Sequence, residues 1–263
     1  MTEPYLNHQN AQPDIPLIEC TNLTRDYGKF RAVDSLSLSV RAGEIFGFLG
    51  PNGAGKTTTI RMITGLIRPT SGFAKVGPYD IRESPIEAKR LFGYIPDNPY
   101  LYDKLTGGEY LRFMSDIYNV PEEGLREKMD SLLNLFELKD KEHDLIQGYS
   151  RGMRQKIALA GALIHNPSII ILDEPTVGLD PRSARILRDV LRHFADHGGT
   201  VFFSTHILEI AEHLCDRFAI INHGRILTCG ALEDLLNLNP GEDKTLEDVF
   251  LRLTSENNPN ELL

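Results

Sequence analysis

The sequence predicts an α/β fold with a helical lobe inserted into it, and three observations support this prediction. The apolar runs at residues 44–49 and 168–172 are almost unbroken, which is typical of central parallel strands covered on both faces. Helical periodicity follows each run. Between about residues 98 and 165 the pattern changes to long amphipathic segments with few β-branched runs. A chain of 263 residues is long enough for one domain with such an insertion.

The N-terminal part is predicted to be rich in β-strands. Residues 1–15 are polar and are expected to form a flexible tail. Residues 35–40 (SLSLSV) alternate between polar and apolar positions and are followed by a turn at residues 41–43. The strand at 44–49 then leads through a glycine-rich loop into a helix over 56–67, where isoleucines recur at helical spacing.

The β pattern resumes after the lobe. Asp180-Pro181 is a helix start, with an N-cap residue followed by proline at the first helical position. The predicted elements in this part are a strand at 168–172, a helix from Asp180-Pro181 to Gly198-Gly199, a strand at 200–204, a helix at 207–215 and a hairpin over 218–229. Residues 255–263 are expected to form a C-terminal tail.

Composition excludes several classes of function. There are 28 basic and 37 acidic residues, so the net charge of −9 disfavours nucleic acid as a partner. Cys20, Cys215 and Cys229 are scattered and are expected to be reduced thiols. No apolar run approaches the ~18 to 20 residues of a membrane helix, and the N-terminus lacks a signal-peptide pattern. We therefore expect any membrane association to come through another chain.

A phosphate-binding loop follows the strand at 44–49. Residues 50–57 (GPNGAGKT) fit the pattern G-x-x-x-x-G-K-[ST], in which glycines let backbone N–H groups surround an anion. Lys56 supplies a positive charge to the β and γ phosphates, and the Thr57 hydroxyl suits a Mg²⁺ ligand. The predicted ATP-binding residues here are Gly50, Pro51, Asn52, Gly53, Ala54, Gly55, Lys56, Thr57 and Thr58.

Two acidic residues end the strand at 168–172. Asp173 stands where a second Mg²⁺-organising group is expected, and Glu174 can polarise an attacking water. His206 follows the neighbouring predicted strand, which brings its imidazole close to the γ-phosphate. We assign catalytic roles to Lys56, Glu174 and His206. The alternative is that Asp-Glu simply ends a strand at the surface.

With these residues in place, the chain resembles the nucleotide-binding subunit of ATP-binding cassette (ABC) transporters. The most specific match is residues 149–155 (YSRGMRQ), followed by KIALA at 156–160, which is similar to the family signature. The resemblance implies a P-loop NTPase (RecA-like) core with an antiparallel β subdomain and an inserted α-helical subdomain. It places this ATPase domain at residues 16–254, with the helical subdomain at about 98–165. It also implies ATP hydrolysis that powers export through a separate transmembrane subunit.

The resemblance assigns further site residues. Ser150 and Gly152 of the signature are expected to contact the ATP held by a second copy of the chain. Tyr27 matches the aromatic residue that stacks on adenine, although an ordinary packed tyrosine is the alternative. Gly178-Leu179-Asp180 matches the loop that crosses the dimer interface, His206 matches the switch histidine, and residues 245–250 resemble the C-terminal segment of exporters with separate membrane subunits.

The chain departs from the family pattern at two places. Arg151 replaces the first signature glycine, and Met153-Arg154 precedes Gln155; similar basic residues occur in export-type cassettes. Asp97 stands where the family usually has glutamine, at the junction of core and lobe. A carboxylate can still bind Mg²⁺, so Asp97 is predicted as a metal-contacting or γ-phosphate-sensing residue.

One phosphate loop and one signature per chain predict that two chains combine, and we expect a homodimer. The cluster Pro99, Tyr100, Leu101 and Tyr102 corresponds to the groove for a coupling helix of the transmembrane permease subunit; ordinary packing between the lobes is the alternative. The chain would then lie on the cytoplasmic face of the membrane. Two other functions remain open: a soluble cassette ATPase acting on ribosomes or DNA, and a regulator that hydrolyses poorly. No cargo-binding feature is visible.

Overall fold

The computed structural model describes residues 16–238 and 245–256, which contain two β-sheets. The first is antiparallel, with strand order β2-β1-β4-β5. Its strands are β1 (Pro16–Tyr27), β2 (Phe30–Arg41), β4 (Ser71–Val76) and β5 (Tyr79–Asp80). The alternation predicted at 35–40 is confirmed, because Leu36, Leu38 and Val40 are buried while the intervening serines are exposed.

The second sheet has six strands in the order β10-β9-β3-β8-β7-β6 and is parallel except for its edge strand β10. Its strands are β3 (Ile45–Leu49), β6 (Phe92–Ile95), β7 (Ile169–Asp173), β8 (Thr200–Thr205), β9 (Arg217–Asn222) and β10 (Arg225–Gly230). The two predicted central strands and the hairpin around His223-Gly224 are confirmed.

The unbroken apolar runs in this sheet follow from burial on both faces. In β7, Ile169 and Ile171 pack into one cluster, which the antiparallel sheet covers. Ile170 and Leu172 point to the opposite cluster, which contains residues of the helices. If polar and apolar residues alternated in this strand, polar side chains would be buried in one of the two clusters. The sequence of β7 is therefore apolar on both faces.

The helices connect the strands and form the inserted lobe. They are α1 (Lys56–Ile63), α2 (Pro85–Arg90), α3 (Gly107–Ile117), α4 (Leu125–Leu135), α5 (Arg151–Leu163), α6 (Pro181–Asp196), α7 (Leu208–Leu214), α8 (Leu232–Leu236) and α9 (Leu246–Glu256). Helices α3, α4 and α5 account for the helical insertion predicted at about 98–165. Among the helices of the described residues, none combines the length and the apolar character needed to cross a bilayer.

Most predicted boundaries agree with the structure to within one or two residues, and two of the differences concern the ends of helices. The first helix ends at Ile63 and not at Ile67, because Gly65 adopts a left-handed conformation (φ +68°) and Leu66 N–H bonds back to the Arg61 carbonyl at 2.8 Å. Helix α9 continues through Ser255, which was expected to belong to the tail. The predicted N-terminal tail at 1–15 and residues 257–263 of the predicted C-terminal tail (255–263) lie outside the described residues.

Candidate nucleotide site

The loop between β3 and α1 requires glycine at specific positions. A Cβ atom on Gly50 would lie 2.4 Å from the Ile221 carbonyl oxygen. Gly55 has φ +109°, and a Cβ there would lie 2.7 Å from the Ala32 carbonyl oxygen. Two neighbouring strands therefore confine the loop backbone, and only glycine allows this close approach.

Helix α1 begins directly from this loop. Gly55 is its N-cap residue, and no side chain caps the helix. Lys56 is buried, and its Nζ donates to the Gly50 carbonyl at 2.6 Å and to the Pro51 carbonyl at 3.1 Å. Thr57 and Thr58 are half-buried in the first helical turn. A buried cation beside an uncapped helix N-terminus favours the binding of an anion such as phosphate.

The structure brings three predicted site residues together. Glu174 Oε1 lies 3.1 Å from Lys56 Nζ, and Glu174 Oε2 lies 2.9 Å from His206 Nδ1. Glu174 directly follows β7, and its φ of +49° is rare for a residue with a side chain. The parallel pairing of β7 with β8 brings His206 to this edge, because both strands end at the same side of the sheet.

Asp173 is fully buried at the end of β7, beside Glu174. Ser204 Oγ donates to Asp173 Oδ1 at 2.6 Å, whereas Oδ2 has no hydrogen-bond partner among the described residues. Burial raises the pKa of Asp173 above its usual value; the Ser204 and Thr57 hydroxyls oppose that rise, and the charge of Asp97 adds to it.

These residues fit a divalent cation. Asp173 presents a free buried oxygen, and the Thr57 hydroxyl is near enough to affect its pKa. In the part of the chain that the structure describes, no three His, Cys, Asp or Glu side chains form a metal cluster. A cation here would therefore need phosphate oxygens as further ligands, as Mg²⁺ commonly does.

Asp97 lies at the rim of this site. It follows β6, which pairs with β7, and its carboxylate is exposed. Its Oδ1 accepts the N–H of Asn98 at 2.8 Å. Asp97 thus affects Asp173 through its charge, while its carboxylate is hydrogen-bonded within its own loop.

Tyr27 ends β1, opposite Phe30 in the hairpin with β2. Its side chain is 44% exposed, which argues against an ordinary packed tyrosine. The Arg25 guanidinium lies 4.6 Å from the Tyr27 ring centroid, and its Nη1 donates to the Arg68 carbonyl at 2.8 Å. The same β2 strand contacts the phosphate loop through Ala32, so the ring belongs to an element that adjoins the loop.

The comparisons with known proteins identify the family. Residues 33–177 match the profile described as ABC transporter. The chain is 38% identical over 239 residues to the ABC transporter ATP-binding protein NatA of Bacillus subtilis, covering 90% of this chain and 96% of NatA. It is 40% identical over 233 residues to the daunorubicin/doxorubicin resistance ATP-binding protein DrrA of Streptomyces peucetius, covering 88% of this chain and 70% of DrrA.

The chain belongs to the ABC transporter family. A solved ATP-binding subunit of an ABC transporter matches it with a TM-score of 0.85 and 32% identity, over 90% of this chain and 99% of that structure. The predicted fold and the predicted ATP-hydrolysing function are thereby confirmed, and the transport function is favoured over action on ribosomes or DNA.

The contacts of Ser150 and Gly152 in the signature lie within α5 and at the start of α6. Ser150 is the N-cap of α5, and its Oγ accepts the Met153 N–H at 3.3 Å. A Cβ on Gly152 would meet Ser183 Oγ at 3.2 Å, so Gly152 packs against the start of α6. Within the described residues, none of the hydrogen bonds made by Ser150 reaches the phosphate loop.

A groove opens between the cassette core and the helical lobe. Its volume is about 600 Å³, and its lining includes Asp97, Pro99, Tyr100, Leu101, Tyr110 and Met114. Tyr100 is 93% exposed. Tyr102 does not line the groove but packs edge-on against Phe113 at 4.9 Å between ring centroids. Ordinary packing therefore does not account for Tyr100, whereas Tyr102 is 56% exposed and packs against Phe113 on one side.

Sequence patterns missed two residues of this cassette. Ser204 contacts both acidic residues, and Gly224 donates its N–H to the Ala54 carbonyl of the phosphate loop at 2.9 Å. The pairing of β7 with β8 would have pointed to Ser204, since it is the partner of Asp173. The turn glycine Gly224 was placed correctly in a hairpin, but nothing local links that hairpin to the loop.

Proposed function

We propose that this chain is the ATPase subunit of a membrane exporter and that Glu174 is its general base. The observation that carries the proposal is the contact of one Glu174 carboxylate with both Lys56 and His206, at 3.1 Å and 2.9 Å. A carboxylate next to the phosphate lysine is in reach of a water that attacks the γ-phosphate.

The two contacts of Glu174 suggest how nucleotide engages the base. A triphosphate in the loop competes with Glu174 for the Lys56 ammonium group, because both are anions. Once Lys56 binds the phosphates, Glu174 Oε1 becomes free to accept a proton from water. His206 still contacts Oε2 and keeps the carboxylate oriented. Lys56 and His206 therefore act at different stages on the same group.

We infer that Thr57 and Asp173 hold the Mg²⁺ of MgATP, with Asp97 contributing at the rim. The cation neutralises charge on the β and γ phosphates when it is bound. Asp173 suits this role because its buried Oδ2 lacks a partner among the described residues. Asp97 is shorter than the usual glutamine, so it would act mainly through its charge.

We infer that the active form contains two cassettes, most simply a homodimer. Ser150 and Gly152 contact neighbours within the lobe and α6, while Lys56 and Glu174 are at the phosphate loop. A second copy that presents its Ser150 hydroxyl and the start of α5 to the γ-phosphate would complete the site. Tyr27 would stack on the adenine through the ring face that Arg25 does not cover.

The partner would be a separate transmembrane subunit, with the cassette on the cytoplasmic face. The groove that contains the exposed Tyr100 has the size and the mixed aromatic and polar lining suited to a short amphipathic helix of that subunit. Export is supported by the relative DrrA, which is named as a daunorubicin/doxorubicin resistance ATP-binding protein. It is also supported by LnrL of Bacillus subtilis, which is 37% identical over 238 residues and is named as a linearmycin resistance ATP-binding protein.

Replacing Glu174 with glutamine tests the assigned base. We expect the variant to retain ATP, to form a more stable dimer in ATP, and to lose nearly all phosphate release. Glu122→Gln is a matched control, because Glu122 is 73% exposed and lies in the helical lobe. Unchanged turnover in Glu174→Gln would show that another residue is the base. The proposed dimer would be wrong if light scattering showed that ATP-loaded Glu174→Gln stays monomeric even when the membrane subunit is present.

Replacing Tyr100 with serine tests the groove. Tyr100 is so exposed that the variant should keep its stability and the basal ATPase of the isolated chain. We expect it to lose co-purification with a multi-helix membrane protein from detergent extracts. Ile86→Ser is the control, since Ile86 is 65% exposed on α2 and outside the groove lining. Equal recovery of that protein with Tyr100→Ser would contradict the assignment.

A further inference from the structure

Ser204 lies between the two acidic residues of the site and bonds to both of them. Its hydroxyl donates to Asp173 Oδ1 at 2.6 Å and accepts the backbone N–H of Glu174 at 3.1 Å. Ser204 is fully buried in β8, opposite Asp173 in the strand pairing. One hydroxyl thus connects the carboxylate assigned to the metal with the backbone of the assigned base.

We propose that Ser204 is a positioning residue that orients both Asp173 and Glu174 for hydrolysis. The inference rests on the proposed function, because it takes the roles of these two residues from there. Ser204 itself does not need to touch nucleotide or water. It acts through the rotamer of one acidic side chain and through the backbone of the next.

The effect on Asp173 follows from the geometry of its carboxylate. A short hydrogen bond to Oδ1 fixes the side-chain torsion and leaves Oδ2 as the available oxygen. Without the hydroxyl, the carboxylate has no partner from β8 and loses the hydrogen bond that fixes its torsion. The affinity for the divalent cation should then fall.

The effect on Glu174 follows from its backbone. A left-handed conformation at a non-glycine residue costs free energy and persists only when its surroundings hold it. Here the Glu174 N–H has two acceptors on Ser204, the hydroxyl at 3.1 Å and the carbonyl at 3.2 Å. Removing the hydroxyl leaves the carbonyl alone, so the turn survives but the carboxylate is less well oriented.

The test compares Ser204→Val with Ser204→Thr. The two side chains have nearly the same volume and differ in the hydroxyl, so any strain from the extra methyl group is common to both. We expect turnover of Ser204→Val to be about 10- to 100-fold below that of Ser204→Thr, as for a lost hydrogen bond to a charged group. The Mg²⁺ concentration for half-maximal activity should rise in Ser204→Val and not in Ser204→Thr. The affinity for ATP, measured in EDTA so that no Mg²⁺ takes part, should be equal in the two variants.

Thr200→Val is the control for losing a buried hydroxyl from the same strand. Thr200 is also fully buried, and its Oγ1 accepts the Gly43 N–H at 2.8 Å at the far end of β8. This variant should lose stability but keep its turnover and Mg²⁺ dependence. Equal turnover and Mg²⁺ dependence in the Ser204 Val and Thr variants would overturn the inference. Glu174→Gln is measured in parallel to separate this inference from the proposed function. If Glu174→Gln is inactive while the two Ser204 variants behave alike, the positioning role of Ser204 is wrong and the proposed function stands. If Glu174→Gln keeps its turnover, the proposed function itself is wrong.

Discussion

Lys56 Nζ lies 3.1 Å from Glu174 Oε1, and only 5% and 13% of these two side chains are exposed. The same ammonium group donates to two carbonyls of its own loop. Lys56 therefore contacts the group that we assign as base. A phosphate that binds Lys56 would compete with Glu174 for the ammonium group, and under our proposal this competition would link binding to catalysis.

Replacing Lys56 with alanine should weaken ATP binding strongly. Loss of charged hydrogen bonds to the phosphates predicts an affinity about 10- to 100-fold lower. Isothermal titration with ATP measures this directly. Lys89→Ala, on an exposed face of α2, is the control and should bind ATP normally. ATP affinity unchanged in Lys56→Ala would mean that this lysine does not contact the phosphates.

Replacing Tyr27 should distinguish base recognition from phosphate recognition. Stacking of a base on an aromatic residue is worth about 1–3 kcal/mol, so Tyr27→Ala should weaken ATP binding about 5- to 150-fold. Tyr27→Phe should bind ATP almost normally. Inorganic tripolyphosphate has no base, and its affinity should be the same in all three proteins.

Phe30 provides the matched control for Tyr27. It is 64% exposed and is paired with Tyr27 in the hairpin, so it is an alternative aromatic residue for the adenine contact. Phe30→Ala should leave ATP affinity unchanged. If Phe30→Ala lost ATP affinity and Tyr27→Ala did not, the adenine contact would be assigned to Phe30 instead of Tyr27.

Local sequence patterns predicted much of the nucleotide site. The phosphate loop, the acidic end of β7 and the N-cap at Asp180 each depend on residues that are close in sequence. Asp180 indeed caps α6, with its Oδ1 accepting the Ser183 N–H at 3.0 Å. These features can be read from the chain because the interaction and the motif span the same few residues.

The contacts that were missed join distant parts of the chain. Ser204 reaches Asp173 only because β8 pairs with β7 in a specific register, and Gly224 meets Ala54 only because β9 pairs with β3. The end of α1 was missed for a local reason, since the apolar pattern continues through Ile67 beyond the stop at Gly65. Periodicity alone does not reveal a left-handed glycine.

Gly224 should be intolerant of a side chain. It has φ +77°, its N–H and carbonyl bond to Ala54 and Asp34, and an added Cβ would lie 2.8 Å from the Ala32 carbonyl oxygen. Gly43 has nearly the same φ, +76°, but open space around it. The left-handed backbone should cost about 1–2 kcal/mol in Gly43→Ala. Gly224→Ala should cost about 1–3 kcal/mol more, because of the steric conflict. Urea unfolding measures both, and equal losses would show that the turn moves away freely.

Glu142 should make the stability of the helical lobe sensitive to acid. Its side chain is 3% exposed and bonds to Arg126 at 2.6 Å and to Lys139 at 2.6 Å. Burial alone raises the pKa of Glu142, but the hydrogen bonds from Lys139 and Arg126 outweigh it and hold the pKa below its usual value of 4.5. A carboxyl with a lowered folded-state pKa stabilises the fold above its unfolded-state pKa, and this contribution is lost as the pH falls through the folded-state pKa.

Glu142→Gln should therefore lower the free energy of unfolding by about 1–3 kcal/mol at pH 7. The difference from the unmodified chain should begin to shrink as the pH falls below about 4.5 and should vanish once the pH has fallen through the lowered folded-state pKa, where the native carboxyl is also protonated. Urea unfolding at a series of pH values measures it. Glu122→Gln is the exposed counterpart, since Glu122 pairs with Arg112 at 73% exposure, and should change stability much less. A Glu142→Gln deficit that stays constant down to pH 3 would mean that lost packing, and not the ion pair, causes the instability.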